Sequence, residues 1–116
     1  MTATGPLGTY LVAGNGMTLY MFTPDTDGVP TCYDQCATAW PPLLVTGTPV
    51  AGEGTDDSLL STVERTDGAM QVVYGDWPLY YWAKDAAPGD VTGQAVGDVW
   101  WVVGPDGEPI RTAPTS

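Results

Sequence analysis

The sequence predicts an all-β domain of about seven or eight mostly antiparallel strands, built from two related halves. Three observations carry that expectation. The apolar runs are short and rich in Tyr, Trp, Val and Leu, residue types that pack well on a pleated surface. The 15 Gly and 11 Pro fall between those runs in a chain of 116 residues, so they act as turn punctuation and not as a low-complexity tract. No long window holds a helical period of apolar residues.

The strands are expected at residues 10–12, 17–22, 59–63, 70–74, 79–82 and 99–103. Turn signals separate them: Gly14-Asn15-Gly16, Asp67-Gly68, Gly75-Asp76 and Pro105-Asp106-Gly107. Asn-Gly and Asp-Gly tolerate positive φ and so favour tight hairpins. One short helical turn is expected near residues 34–40, with Asp34 as its N-cap and Pro41-Pro42 as its stop. The whole reads as one domain over residues 5–111. The tail Thr112-Ala113-Pro114-Thr115-Ser116 has linker composition. No apolar run reaches the roughly 20 residues of a membrane span, so no transmembrane segment is expected. Residues Met1 to Pro6 carry neither a basic nor an apolar signal region.

An internal repeat organises these elements. Leu19-Tyr20-Met21-Phe22-Thr23-Pro24-Asp25 matches Leu79-Tyr80-Tyr81-Trp82-Ala83-Lys84-Asp85 at an offset of 60. The same offset sets Val12 on Val72 and Trp40 on Trp100 without a gap. Each half, about residues 7–46 and 67–106, is therefore expected to hold a hairpin, an aromatic strand, an acidic corner and a later Trp.

Composition excludes several functions. Lys and Arg number 3 against 14 Asp and Glu, giving a net charge of −11, and there is no His. With Arg65, Lys84 and Arg111 as its only side-chain cations, the chain lacks the charge that neutralises nucleic-acid phosphates. Ser/His and Cys/His catalysis and imidazole–metal sites are impossible. The large negative charge favours a soluble monomer.

The doubled Tyr-x-[Phe/Trp]-x-x-Asp resembles the bacterial "secreted repeat of unknown function" family, which occurs in predicted lipoproteins and has a Tyr-x4-Asp motif. Other fragments resemble it too. They are Cys32-Tyr33-Asp34-Gln35-Cys36 with Trp40-Pro41-Pro42, Arg65-x-Asp67-Gly68 with Gln71, Pro78-Leu79-Tyr80, and Gly89-Asp90-x-x-Gly93-Gln94. The likeness covers about residues 10–107. It implies an exported, lipoprotein-like domain of the cell envelope, and it implies no activity.

Four sets of residues are candidates for function. The motif residues Tyr20, Phe22 and Asp25, with Tyr80, Trp82 and Asp85, are expected to make two corner staples. A carboxylate just past a strand can accept backbone N–H bonds or a Tyr hydroxyl bond. The sharper reading is a calcium site drawn from Asp25, Asp27, Asp85 and Asp90, because calcium takes oxygen ligands. Asp25-Thr26-Asp27-Gly28 is not an EF-hand loop, since the Gly is misplaced and the twelfth position is Cys36. Cys32 and Cys36, four positions apart on a helical turn, lie within bridging reach. In an exported protein they are expected to form a structural disulfide. The alternative is copper or redox chemistry at the two cysteines, with Met17, Met21 or Met70 as a soft ligand.

The last set is aromatic. Five Trp and six Tyr accompany one Phe, and Tyr and Trp suit places with a dry and a wet side. Neighbours on a strand face opposite ways, so burial of Tyr80 and Trp100 would turn Tyr81 and Trp101 outward. With Trp77 these are the candidate binding surface, for a carbohydrate or an envelope protein. No catalytic motif sets any carboxylate pair apart, so no enzyme activity is expected. The expectation is a non-catalytic extracytoplasmic binding or structural module without a required cofactor. A metal or redox protein is the competing class.

Overall fold

Four short extended segments feed side chains alternately into two apolar clusters, and the rest of the chain is arranged around them. The computed structural model describes residues 2–5, 8–13, 16–25, 29–33, 35–45, 55–66, 68–88 and 90–110. Among these residues the strands are β1 (Thr2–Gly5), β2 (Gly8–Leu11), β3 (Tyr20–Phe22), β4 (Leu44–Val45), β5 (Leu60–Glu64), β6 (Met70–Tyr74), β7 (Trp77–Pro78), β8 (Trp100–Val103) and β9 (Pro109–Ile110). One short helix, α1 (Gln35–Ala39), ends just before Trp40 and the two prolines. Every strand pair is antiparallel. β1 pairs with β2, β3 and β9 flank β8, and β4 and β5 flank β6, which also meets β7.

The hairpin between β5 and β6 turns at Gly68, whose φ of +88° suits a residue without Cβ. Its register is regular, from Leu60 opposite Tyr74 to Glu64 opposite Met70. The Pro105–Gly107 turn closes β8 onto β9, with Val102 opposite Ile110. The Tyr74 hydroxyl donates to the Pro105 carbonyl and ties this turn to the β5–β6 hairpin.

The two clusters lie on opposite faces of β3 and β8. Tyr10, Val12, Tyr20, Cys32, Trp40, Tyr80, Trp100 and Val102 form the first. Leu11, Ala13, Leu19, Met21, Val72, Tyr74, Leu79, Trp101 and Val103 form the second. All four residues of β8 are buried, because both of its faces are covered. This corrects the expected outward strip at Trp101. Its side chain alternates away from Trp100 as period-two geometry requires, yet it enters a second core and keeps 8% exposure. Tyr81 and Trp77 are half-buried at the rim of that second core.

A second departure concerns residues 79–82, expected as a strand. Only Tyr80 is bridged there, to Tyr20 on one side and Pro42 on the other. On the Pro42 side the main chain bonds through the Leu43, Tyr81 and Ala83 amides. Pro41 and Pro42 have no amide hydrogen, so no regular ladder grows along that edge. Likewise Thr18 is bridged to Val12, and a regular strand begins only at Tyr20. The expected roles of Asp34 and of the Gly14-Asn15 turn fall outside the described residues.

Candidate functional site

The two Tyr-x4-Asp motifs meet at their tyrosines. Tyr20 and Tyr80 exchange backbone hydrogen bonds, with N···O distances of 2.9 and 3.0 Å. This bridge lies on a pseudo-twofold axis relating residue i to residue i + 60. Partners repeat across it. The Thr23 amide donates to the Val99 carbonyl at 2.9 Å, and the Ala83 amide donates to the Ala39 carbonyl at 2.8 Å. Turns of equal shape follow, with the Asp25 amide bonded to the Phe22 carbonyl and the Asp85 amide to the Trp82 carbonyl.

The side chains of the motifs are crossed. The Tyr20 hydroxyl donates to Asp85 Oδ2 at 2.6 Å, and the Tyr80 hydroxyl donates to Asp25 Oδ2 at 2.6 Å. Each tyrosine is thus held by the aspartate of the other half. Each aspartate spends its second oxygen on a threonine further along its own half. Asp25 Oδ1 accepts from the Thr31 amide at 2.7 Å and the Thr31 hydroxyl at 2.5 Å. Asp85 Oδ1 accepts from the Thr92 amide at 3.0 Å and the Thr92 hydroxyl at 2.5 Å. The result is a clasp of two carboxylates, two phenols and two loops that joins the halves.

Burial sets its electrostatics. Asp25, Tyr20 and Tyr80 are fully buried, and Asp85 keeps 7% exposure. Desolvation raises the Asp25 carboxyl above its ordinary pKa of 3.8, opposed by its bonds from Thr31 and Tyr80 and by the Arg65 charge. Desolvation also holds both phenols well above 10, and the bonded carboxylates push them in the same direction. The phenols therefore keep their protons and act as donors.

Arg65, one of three side-chain cations in the chain, is 4% exposed. It donates to Gln71 Oε1 at 2.6 Å and to the Cys32 carbonyl at 2.7 Å, and it lies 4.2 Å from the centre of the Tyr33 ring. Gln71 Nε2 passes on a bond to the Leu79 carbonyl, beside Tyr80. The first half of the clasp thus rests on a buried cationic network.

Aromatic rings surround the phenols with the same symmetry. Trp40 and Trp100 stack face to face on each other, 3.7 Å apart at 1°. Trp82 stacks outside Trp40 at 3.9 Å, and Phe22 outside Trp100 at 4.2 Å. Tyr20 meets Trp40 edge-on at 5.4 Å, and Tyr80 meets Trp100 edge-on at 5.2 Å. The two edge-to-face contacts add about 0.5–1.5 kcal/mol each beyond area burial. Gly93 makes the packing possible. A Cβ there would lie 2.8 Å from Trp40 Cη2 and 2.9 Å from Tyr20 Cζ. Its amide donates to the Tyr20 hydroxyl oxygen at 3.2 Å.

Cys32 and Cys36 form a disulfide with Cα atoms 5.2 Å apart. The bridge spans the start of α1, and the Trp40 amide bonds back to the Cys36 carbonyl at 2.7 Å. It therefore fixes the turn that delivers Trp40 to the aromatic column. While the bridge stands neither sulfur is a thiolate, and Met21 lies in the opposite cluster. Of the calcium candidates, Asp25 and Asp85 are committed to the clasp. Asp90 Oδ2 accepts the Ala86 and Ala87 amides at 2.8 and 3.1 Å. Asp27 lies outside the described residues. Among the described residues no three His, Cys, Asp or Glu side chains converge.

The family described as a secreted repeat of unknown function matches residues 1–44 and again residues 61–104. The chain belongs to that family. The two matched segments start 60 residues apart, the offset that relates Tyr20 to Tyr80, so the chain is two copies of the secreted repeat. Its second copy supplies the carboxylate for the first copy's tyrosine, and the reverse. No curated protein and no solved structure matches the chain. Among the described residues no helix is long and apolar enough to cross a membrane.

Sequence reasoning found the six motif residues and missed what joins them. Thr31 and Thr92 had one signal, their place six and seven residues beyond each motif aspartate, and Gly93, eight residues beyond Asp85, stood also in a family fragment. Arg65 and Gln71 stood only in a family fragment. Scarcity of cations was the usable clue, because a chain with so few has little reason to bury one without a buried acceptor.

Proposed function

We propose that this secreted repeat pair is a non-catalytic structural and binding module of the bacterial cell envelope, working outside the cytoplasm as a monomer. The observation that carries the reading is the crossed clasp. Every carboxylate oxygen and both hydroxyls of the repeated motif bond within the fold, which suits a scaffold and leaves no motif group poised for a substrate. The disulfide fits an oxidising compartment. The half-buried rim of the second cluster, with Trp77 and Tyr81, is the binding face of this reading, and its partner is a sugar ring or an envelope protein.

The test separates scaffold from surface. Asp25→Ala and Asp85→Ala should lower the melting temperature. Trp77→Ala and Tyr81→Ala should leave the clasp folded and abolish retention of the domain on cell-envelope polysaccharide in affinity electrophoresis. Retention unaffected by both rim substitutions would remove this rim as the binding face. A turnover lost in Asp25→Asn or Asp85→Asn at unchanged stability would overturn the non-catalytic reading.

A further inference from the structure

The aromatic column has two unlike ends. The pseudo-twofold axis relates Phe22 to Trp82, so one end of the stack is a benzene ring and the other an indole. Benzene rings resist one-electron oxidation and indoles accept it readily, so only the Trp82 end can take up a positive charge. Trp82 is half-buried and thus reachable. Its Nε1–H is buried with no acceptor among the described residues. An oxidised Trp82 would therefore keep its proton, and its charge would stay mobile. The Lys84 ammonium, 5.7 Å from the ring, disfavours positive charge there and favours its movement inward. Trp40 lies next at 3.9 Å, and Tyr20 sits edge-on to Trp40 at 5.4 Å. The Tyr20 hydroxyl already donates its proton to Asp85 Oδ2, with the two oxygens 2.6 Å apart.

We propose that Trp82, Trp40 and Tyr20, with Asp85, form a relay that carries one-electron oxidation from the surface to a buried tyrosine. The reaction partner is a one-electron oxidant, an oxidising radical or a high-potential metal complex, and the net charge of −11 attracts cationic ones. The oxidant gains one electron from Trp82. Trp40 refills Trp82, and Tyr20 refills Trp40. As Tyr20 loses its electron its hydroxyl proton moves to Asp85 Oδ2. The products are the reduced oxidant, a neutral tyrosyl radical and a neutral carboxylic acid, so charge and protons balance. Tyr20 cannot lose the proton beforehand, because burial and Asp85 keep the phenol protonated. Trp100, stacked on Trp40 at 3.7 Å, continues the path to Tyr80 and Asp25 as a second branch. The relay does not depend on what the Trp77–Tyr81 rim binds.

Flash oxidation of the whole chain by a photogenerated cationic ruthenium polypyridyl complex tests this. An indole radical should form first and decay into a tyrosyl radical, with a rate that falls in heavy water. Trp82→Phe copies the residue already present in the other half, so the fold should survive. It should cut the tyrosyl yield at least tenfold. Asp85→Asn should slow tyrosyl formation at least tenfold and remove the solvent isotope effect. Tyr33→Phe, outside the column, should change neither. An unchanged tyrosyl yield in Trp82→Phe overturns the proposal. So does a radical that disappears in Tyr33→Phe, or a rate indifferent to heavy water.

Discussion

Replacing Asp25 by alanine removes an acceptor shared by three hydrogen bonds, from the Thr31 amide, the Thr31 hydroxyl and the Tyr80 hydroxyl. Thr31 is exposed, so water recovers part of its loss. Tyr80 is fully buried, so its hydroxyl loses a charged acceptor and gains no water. A hydrogen bond to a charged group contributes about 1.5–3 kcal/mol, and a buried donor left without an acceptor costs about 1–3 kcal/mol. Burial already disfavours the carboxylate, as its raised pKa records, and alanine relieves that strain. The net expectation is a loss of about 3 kcal/mol. For 116 residues the unfolding entropy is about 0.24 kcal/mol/K, so the melting temperature should fall by roughly 12 °C. Differential scanning calorimetry reads it directly. Asp56 is the control, since it also accepts two bonds from one residue, Ser58, but in full exposure. Asp56→Ala should leave the melting temperature nearly unchanged. A fall of under about 4 °C for Asp25→Ala, or equal falls for the two variants, would refute the argument that burial gives the clasp its strength.

Gly93→Ala forces a methyl against rigid rings at 2.8 and 2.9 Å, so it should cost about 3 kcal/mol by overpacking, seen as a lower urea midpoint. Reducing the Cys32–Cys36 bridge frees a loop of only five residues, worth about 2 kcal/mol, and a melt with and without reductant checks the shift of roughly 8 °C. The pH dependence has a fixed sign at each end. The raised Asp25 pKa means that the folded state binds its proton more readily than the unfolded state. Stability from this group therefore rises as pH falls from neutrality towards 3.8, and Asp25→Asn should flatten that part of a melting profile. Both clasp phenols are raised above 10, so their contribution is complete below pH 10 and is lost as pH climbs beyond it. Two phenols should accordingly ionise only together with unfolding when phenolate absorbance and circular dichroism are followed in parallel.

Local pattern made much of the fold legible. β5 and β6 are short runs rich in Val, Leu and Tyr separated by Asp67-Gly68, and the structure places them within a residue of their expected bounds. The short helix before Pro41-Pro42 was legible from its stop, because a proline cannot continue a helix. β1, β4, β7 and β9 are two to four residues long, and their pairing is set by tertiary contacts and not by propensity. Trp101 shows what period two leaves out. Alternation says that it faces away from Trp100, but not whether water or a second core waits there. The clasp shows the same limit. Spacing identified Tyr20 and Asp25 as a unit, yet five residues of extended chain span about 16 Å. A motif of that length has no means of stating that each tyrosine bonds the aspartate 60 residues away from its own.

A double-mutant cycle measures that crossing. Tyr20→Phe combined with Asp85→Ala should show a coupling of about 1.5–3 kcal/mol, because one change already removes what the other would remove. Tyr20→Phe combined with Asp25→Ala, the pair within one motif, should be additive to within about 0.5 kcal/mol. Strong coupling inside a motif and additivity between the halves would contradict the account.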